Sequence, residues 1–369
     1  MTGLRDLAPD YIRAIAPYQP GKPISDLARE MGLDPSQIVK LASNENPLGA
    51  SPKAYLAMQE ALEGIARYPD GNCFSLRDAI CAKFSLKSEQ LVLGNGSNDI
   101  LELSARAFLT SVNEVIYSQH AFAVYALATQ AMGANGVTVP ARDFGHDLEA
   151  MLAAIRPQTR MIFIANPNNP TGTMLRKTAL LEFLGQVPQQ ILVVLDEAYD
   201  EYMPPESKSE SFSWLSAFPN LIVSRTFSKA YGLAGLRIGY GATSQSVADM
   251  MNRVRQPFNV NSVAQAAAVA SLNDDDFVER SYALNRAGML QLTQGFDTLG
   301  LEYIPSFGNF VSVRVDNAAD TNRRLLEQGV IVRPVTNYEM PEYLRVSIGL
   351  FGENARFLEV LESILKNRN

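Results

Sequence analysis

The sequence predicts an α/β protein in which a mostly parallel central sheet is flanked by helices and followed by a smaller α/β domain. Short apolar runs alternate with helix-compatible segments between residues 91 and 225, which is the order of elements in a parallel sheet. After about residue 272 this pattern changes. The chain has 369 residues, more than one hydrophobic core usually supports. Two domains are therefore expected.

Six apolar runs are predicted to be the strands of the central sheet. Each is too short for a helix and is rich in β-branched or aromatic residues. The runs are "LVL" (91–93), "EVIY" (114–117), "GVTV" (136–139), "MIFIA" (161–165), "ILVVLD" (191–196) and "LIVSR" (221–225). Helix-compatible segments such as 98–109 and 177–187 lie between them.

The last part of the chain is predicted to form the smaller domain. Its elements are a long polar-faced helix (274–300), the alternating strand "NFVSVRV" (309–315), a helix (318–328), the strand "YLRVSIG" (343–349) and a terminal helix (352–367). We expect an N-terminal arm with part of the small domain at 1–49, a large domain at 50–272 and a small C-terminal domain at 273–369. Turns rich in Pro, Gly and Asn at 17–23 and 44–52 join the arm to the body.

Composition excludes several classes of function. The net charge is -7 and no dense basic block is present, so nucleic acid is not an expected partner. No segment approaches the roughly 18 apolar residues of a membrane span, and the N-terminus lacks a signal-peptide core, so we expect a cytoplasmic protein. Cys73 and Cys81, with only two histidines in the chain, cannot build a zinc cage or a disulfide framework.

Four loops follow predicted strands, and ligands of open α/β sheets gather beyond the carboxyl ends of strands. In "GNGSND" (94–99), backbone N–H groups at a helix start, with glycines that let an anion approach, can hold a phosphate. The same loop fits a plain N-cap in which Ser97 satisfies the helix donors. In "ANPNNPTG" (165–172), two X-Pro steps fix the chain path and the angles of the asparagine amides.

The other two loops carry the charged groups. Asp196 ends an apolar strand, where a carboxylate needs a cation or serves as a helix N-cap, and the phenol of Tyr199 follows closely. In "SRTFSKAYGLAGLRIGY" (224–240), Lys229 follows a buried strand instead of standing on a solvated surface. A partly desolvated amine is the group that forms imines with carbonyl compounds. Thr226, Ser228 and Arg237 add hydroxyl and guanidinium donors suited to a phosphate.

Together the four loops describe one ligand that has a phosphate, a basic ring nitrogen, a phenolic oxygen and an aldehyde. Pyridoxal 5'-phosphate has all four features, and a carboxylate at its ring nitrogen makes the ring an electron sink. The expected contacts are Gly96, Ser97, Thr226, Ser228 and Arg237 to the phosphate, Asp196 to the ring nitrogen, Tyr199 and Asn169 to the phenolic oxygen, and Lys229 to the aldehyde.

At these motifs the chain resembles a known family. "NPNNPTG", "DEAY" and "SKAYGLAGLRIGY" are similar to the fold type I pyridoxal-phosphate-dependent enzymes, and "PYQPG", "LASNENPLG" and "RYPDG" resemble the histidinol-phosphate aminotransferase branch. The similarity runs from about residue 17 to the C-terminus with the motifs in the expected order. It implies a Schiff base at Lys229, which also moves the proton between the substrate carbon and the cofactor.

The resemblance implies further site residues. It adds Asn98 to the phosphate contacts, although relatives have an acidic residue there, and it places Phe122 on the cofactor ring, where many relatives have Tyr. Tyr68 in "RYPDG" matches a tyrosine that reaches the cofactor of the neighbouring subunit, which implies a homodimer with shared active sites. Tyr18, Asn46 and Arg345 match positions on the substrate side, and Arg333 is a further anion contact or a structural ion pair.

The resemblance implies reversible amino transfer between L-histidinol phosphate plus 2-oxoglutarate and imidazole-acetol phosphate plus L-glutamate. Two rival interpretations remain open. One is an aromatic amino-acid aminotransferase or a decarboxylase of phosphorylated amino acids on the same scaffold. The other is a pyridoxal-sensing regulator, which needs an N-terminal DNA-binding module; the roughly 40 residues before "LASNENP" are too short for one. The spacing in "GNGSND" does not match the G-x-G-x-x-G nucleotide fingerprint.

Overall fold

In the computed structural model, which describes residues 3–366, thirteen strands are present in the described part of the chain. They are β1 (Val39–Lys40), β2 (Leu91–Gly94), β3 (Glu114–Ser118), β4 (Asn135–Val139), β5 (Thr159–Ala165), β6 (Leu192–Asp196), β7 (Leu221–Thr226), β8 (Gly239–Ala242), β9 (Tyr303–Ile304), β10 (Phe310–Arg314), β11 (Val330–Ile331), β12 (Arg333–Pro334) and β13 (Tyr343–Ser347).

The described residues also form thirteen α-helices. They are α1 (Asp10–Arg13), α2 (Ile24–Met31), α3 (Pro52–Leu62), α4 (Phe74–Phe84), α5 (Ser97–Phe108), α6 (Ala123–Ala131), α7 (Leu148–Ala153), α8 (Lys177–Gln186), α9 (Gln245–Val254), α10 (Ser262–Leu272), α11 (Asp275–Thr298), α12 (Ala318–Glu327) and α13 (Phe351–Lys366). None of these helices is both long enough and apolar enough to cross a membrane.

The central sheet has seven strands in the order β2-β8-β7-β6-β5-β3-β4. All six predicted runs are strands of this sheet, and the neighbours from β7 through β4 pair in parallel, as predicted. The sequence pattern missed β8, which is antiparallel to both β2 and β7. A Cβ on Gly239 would lie 2.5 Å from the Ser97 nitrogen, and one on Gly241 2.7 Å from Ile100 Cγ2. The glycines that let α5 pack on this strand also remove its apolar signal.

The C-terminal elements form a second, four-stranded antiparallel sheet in the order β12-β13-β10-β9. The predicted long helix, strand, helix, strand and terminal helix correspond to α11, β10, α12, β13 and α13. Near the start of the chain, β1 pairs in parallel with β11. The exact domain boundaries at 49 and 272 stay a prediction.

The sheet places the polar loops side by side. The strand β6 is buried along its whole length and lies between β5 and β7, with Asp196 opposite Ala165 on one side and Ser224 on the other. The carboxyl ends of these three parallel strands therefore meet at one edge. The loop after β5, the "DEAY" turn and the lysine loop all begin there.

Candidate active site

A cavity of about 270 Å³ lies at this edge of the central sheet. It brings together most of the residues that the sequence analysis singled out. Those that line it are Tyr18, Ser97, Asn98, Phe122, Asn169, Asp196, Tyr199, Thr226, Ser228, Lys229, Arg237, Arg333 and Arg345. Loops that follow β2, β5, β6 and β7 thus converge with an arginine from each of β12 and β13.

One end of the cavity is an anion cradle at the start of α5. Gly96 is the N-cap of this helix and provides no side-chain cap, so the first backbone N–H groups depend on another acceptor. A Cβ on Gly96 would lie 2.4 Å from Arg237 Nη2. Only glycine lets the guanidinium approach the helix start so closely, and Nη2 donates to the Asn95 carbonyl at 3.2 Å.

Two hydroxyl groups complete this cradle. The Thr226 oxygen accepts from the backbone N–H of Ser228 at 3.1 Å, and the Ser228 oxygen accepts from Arg237 Nη1 at 3.2 Å. Each hydroxyl is used as an acceptor in these bonds, so each keeps its own proton to donate. A phosphate in the cradle would meet a cation, two hydroxyl donors and a helix N-terminus.

Lys229 is the amine of the cavity. Its Nζ donates to the Ser43 carbonyl at 3.0 Å and lies 5.8 Å from the centre of the Tyr199 ring. Burial lowers the pKa of this amine to about 7, and the positive charge of Arg345 adds to the effect. Near neutral pH the amine is therefore able to give up its proton and act as a nucleophile or a base.

Asp196 is the carboxylate of the cavity and is 6% exposed. Burial raises its pKa to about 6, against a hydrogen bond from the Tyr125 hydroxyl to Oδ2 at 2.9 Å that lowers it. The other oxygen, Oδ1, is buried and has no hydrogen-bond partner among the described residues. A buried carboxylate oxygen without a donor is costly, which indicates that a ligand supplies one.

Tyr199 and Asn169 meet as the sequence predicted. Asn169 Nδ2 donates to the Tyr199 hydroxyl at 3.2 Å, and Asn44 Nδ2 donates to the same oxygen at 3.0 Å. Burial raises the pKa of Tyr199 to about 12, so its phenol stays protonated. Because its oxygen accepts from two amides, the phenolic proton is free to be donated to a ligand.

Two arginines form the other cationic end of the cavity. Arg345 Nη1 donates to Asn169 Oδ1, while its Nε is buried and has no hydrogen-bond partner in the described part of the chain. Arg333 Nη2 donates to the Gln19 carbonyl at 2.7 Å, and its guanidinium lies 5.6 Å from the Tyr18 ring centre. Neither arginine has a carboxylate within ion-pair distance in residues 3–366. Arg333 is therefore not in the structural ion pair that was the alternative to an anion contact.

Comparison with known proteins places this geometry in a family. The family model described as aminotransferase class I and II matches residues 36–364. The chain belongs to the class I and II aminotransferases. It is 73% identical to the histidinol-phosphate aminotransferase of Methylobacillus flagellatus over 368 residues, covering 100% of each chain. It is 60% identical to histidinol-phosphate aminotransferase 2 of Nitrosospira multiformis, covering 98% of this chain and 92% of that one.

A solved structure agrees with the fold of this aminotransferase. The histidinol-phosphate aminotransferase of Sinorhizobium meliloti, in complex with pyridoxal-5'-phosphate, matches with a TM-score of 0.88 and 26% identity over 98% of both chains. The expected fold, a mostly parallel sheet with flanking helices and a smaller α/β part, is confirmed.

Asn46 and Tyr68 do not line the cavity of the single chain, and Tyr68 was expected to serve the neighbouring subunit. Asn46 is absent from the cavity lining, because its Nδ2 donates to the Ala230 carbonyl and to Ser281 Oγ, both at 2.8 Å. Asn46 thus ties α11 to the segment after the lysine, and the substrate contact predicted for it stays a prediction. Tyr68 is also outside the cavity; it is 83% exposed and stacks on Phe258 at 4.9 Å between ring centres.

Three groups of the lining that hold site residues were not predicted from the sequence. Asn44, two residues before Asn46, donates a hydrogen bond to the Tyr199 hydroxyl, and the Ser43 carbonyl accepts one from Lys229. Tyr125 holds Asp196. Asn44 has φ +53, a left-handed conformation that asparagine tolerates well, but Asn46 lies in the same turn, so residue type alone does not distinguish the two.

A buried ionic brace behind the cavity was also missed. Arg225 on β7 donates from Nε to Glu197 Oε2 at 2.9 Å and from Nη1 to Asp200 Oδ2 at 2.7 Å. Ser209 and Ser211 donate to the two oxygens of Glu197. The brace joins the ends of β6 and β7, so it fixes the relative positions of the "DEAY" turn and the lysine loop.

Proposed function

We propose that this aminotransferase exchanges an amino group between L-histidinol phosphate and 2-oxoglutarate, giving imidazole-acetol phosphate and L-glutamate in histidine biosynthesis. The observation that carries the proposal is a cavity in which Lys229 and Asp196 share the space between two cationic ends. A phosphorylated cofactor and a phosphorylated substrate together need two such ends. The names of the relatives at 73% and 60% identity support the same substrate.

The cofactor that fits the cavity is pyridoxal 5'-phosphate. The unpartnered Oδ1 of Asp196 suits a protonated ring nitrogen, and the uncapped start of α5 beside Arg237 suits the phosphate. Phe122 offers a ring face, and Tyr199 with Asn169 offers donors to a phenolic oxygen. When bound, pyridoxal phosphate supplies an aldehyde for amines and a ring that takes up electron density from the neighbouring carbon.

Lys229 is the acid and base of the proposed reaction. Its pKa of about 7 lets the amine take a proton from the substrate carbon that carries the amino group. The same amine can then donate a proton to the cofactor carbon that receives the amino group. Asp196 holds its charge next to the ring nitrogen. The hydrogen bond to the Ser43 carbonyl keeps Nζ within the cavity, on the side of the Tyr199 ring.

The substrate anion is assigned to Arg333 and Arg345. Histidinol phosphate carries a phosphate and no carboxylate, whereas glutamate carries two carboxylates, so the same pair of guanidinium groups must serve both anions in turn. Arg345 also donates to Asn169, which links the substrate end to the cofactor end. Tyr18 packs under the Arg333 guanidinium and covers this end from the N-terminal arm.

We further propose a cytoplasmic homodimer in which Tyr68 completes the partner's active site. In a single chain this phenol is largely exposed and outside the cavity. It stands among other exposed apolar side chains of the same region, Tyr55, Leu56, Leu62, Ile65, Phe74 and Phe258. Exposed apolar side chains concentrated in one part of the chain favour a protein contact.

Subunit complementation tests the shared site. If Tyr68 serves the neighbouring cavity, mixing Tyr68→Ala and Lys229→Ala subunits restores one intact site in each mixed dimer, or about one quarter of all sites after equal random exchange. Each variant alone should have far less activity. No gain on mixing, with exchange verified by mass, would contradict the shared site and leave the cofactor assignment standing.

A substrate panel tests the reaction. Purified protein loaded with pyridoxal phosphate is mixed separately with histidinol phosphate, phenylalanine and threonine phosphate, and the absorbance of the bound cofactor is followed. Histidinol phosphate should react fastest and release no carbon dioxide. Faster reaction of phenylalanine, or decarboxylation of threonine phosphate, would favour the rival assignments. Lys229→Ala should abolish turnover and leave no pyridoxyl group on the chain after borohydride reduction, whereas the exposed-lysine control Lys53→Ala should retain both.

A further inference from the structure

Tyr125 is a fully buried tyrosine whose hydroxyl reaches the cavity. It lies on α6, one turn after Phe122, and its ring stacks on Phe163 of β5 with 4.8 Å between centres and 3° between planes. Phe122 meets it edge-on at 5.9 Å and 87°. These two aromatic contacts hold the ring in one orientation, so the hydroxyl has a fixed position at the end of β6.

The hydroxyl donates to one oxygen of Asp196 and leaves the other free. The Tyr125 hydroxyl lies 2.9 Å from Oδ2, whereas Oδ1 is buried and has no partner in the part of the chain that the structure describes. Burial next to Asp196 raises the pKa of Tyr125 well above its ordinary value, so this phenol remains a donor. A carboxylate held by one oxygen presents the other in a defined direction.

We propose that Tyr125 is a positioning residue for the amino-transfer reaction: it orients Asp196 so that Oδ1 faces the cofactor's ring nitrogen, and it stabilises the charged carboxylate. This inference rests on the proposed cofactor. Burial is the largest effect on Asp196 and raises its pKa to about 6. The hydrogen bond from Tyr125 is the largest opposing effect, followed by one from the backbone N–H of Ala198. The other titratable groups that face Asp196 are Glu197, Tyr199 and Lys229.

The test is the pH dependence of cofactor binding to the apoprotein, with Tyr125→Phe as the variant. Without the hydroxyl, the pKa of Asp196 rises, so the neutral acid persists to higher pH. The dissociation constant for pyridoxal phosphate should increase roughly tenfold at pH 7, and the inflection in its pH profile should move up by about one to two pH units, the size of a hydrogen bond to a charged group. Lys229 titrates equally in both proteins, so the difference between the profiles isolates Asp196.

Two comparisons make this result specific. Tyr240→Phe removes the hydroxyl of another buried tyrosine, which lies on β8 outside the cavity lining, and should leave the profile unchanged. In an Asp196→Asn background, Tyr125→Phe should have little further effect, because the charge that it stabilises is gone. Superimposable profiles for wild type and Tyr125→Phe, or an equal effect in the Asp196→Asn background, would overturn the inference.

Folding and cofactor controls separate the possible failures. Circular dichroism checks that Tyr125→Phe is folded; if it is not, 3-fluorotyrosine in place of Tyr125 keeps the shape and makes a stronger donor. The inflection should then move to lower pH, and an unmoved inflection would refute the role of the hydroxyl. Failure of the wild-type protein to bind pyridoxal phosphate at any pH would overturn the proposed cofactor and this inference together.

Discussion

Replacing Gly96 by alanine should lower the stability of the apoprotein and weaken its binding of the cofactor phosphate. Gly96 has φ +86 and ψ 171, a conformation that is nearly restricted to glycine and costs another residue about 1–3 kcal/mol. The new methyl group would also lie 2.4 Å from Arg237 Nη2, so the guanidinium must move. Loss of its contact with a phosphate removes a charged hydrogen bond of about 1.5–3 kcal/mol, or roughly 10- to 100-fold in affinity.

The assay for Gly96→Ala has two parts. Thermal unfolding of the apoprotein measures the cost of the backbone strain. Titration of the apoprotein with pyridoxal phosphate measures the affinity of the anion cradle for the cofactor. The matched control is Gly185→Ala in α8, where an added Cβ meets nothing within 4 Å. Alanine is the better helix former by up to about 1 kcal/mol, so the control should unfold at an equal or higher temperature and bind the cofactor normally. A Gly96→Ala protein with unchanged unfolding and unchanged affinity would refute the reasoning.

Two further predictions follow from the buried polar groups. In the apoprotein the pKa of Asp196 is about 6, above its ordinary value, so the folded state holds a proton that the unfolded chain has lost, and wild-type stability falls as the pH rises from about 4 to 6. Asp196→Asn should remove this loss, so the variant should be more stable than wild type by about 1–3 kcal/mol at pH 7 but not at pH 4. It should also bind the cofactor less tightly. Denaturant unfolding at both pH values measures the stability difference, and the same difference at pH 4 and pH 7 would contradict the prediction. Asn46→Ala should lower the free energy of unfolding by about 1–3 kcal/mol, because it leaves the buried partners of Asn46 unpaired. The KM for histidinol phosphate should stay unchanged; a raised KM with normal stability would instead support Asn46 as a substrate contact.

Local sequence patterns predicted most of the fold and the ends of its strands. The apolar runs identified six strands of the central sheet because their periodicity is a property of each segment alone. The lysine loop, the "DEAY" turn and the asparagine loop were placed at one sheet edge by the same logic. The site residues that were not predicted depend on contacts between segments that are distant in sequence. Tyr125 meets Asp196 across 71 residues, and Arg345 meets Asn169 across 176.

The choice between Asn44 and Asn46 illustrates the limit. Both asparagines lie in the same turn, and both are buried. Asn44 reaches the cavity because Ser347 of β13 holds its backbone N–H at 2.8 Å and its Oδ1 at 2.9 Å. That contact spans 303 residues and leaves no trace in the turn itself. A dimer contact such as that proposed for Tyr68 is even harder to predict from local sequence, because it needs a second chain.

The distribution of charge at the end of β6 explains why Asp196, among several acidic neighbours, is the one suited to a cationic ligand. Arg225 contacts Glu197 and Asp200 at 2.7 Å and Glu201 at 3.6 Å, so one buried cation is shared by three carboxylates. Asp196 has no share in that brace and is held by the Tyr125 hydroxyl. Burial therefore raises its pKa while the same burial lowers that of Lys229, and each shift disfavours the charged form. A ligand that brings a ring cation to Asp196 and takes up the amine of Lys229 relieves both costs at once, so binding it should stabilise the fold as well as create the site.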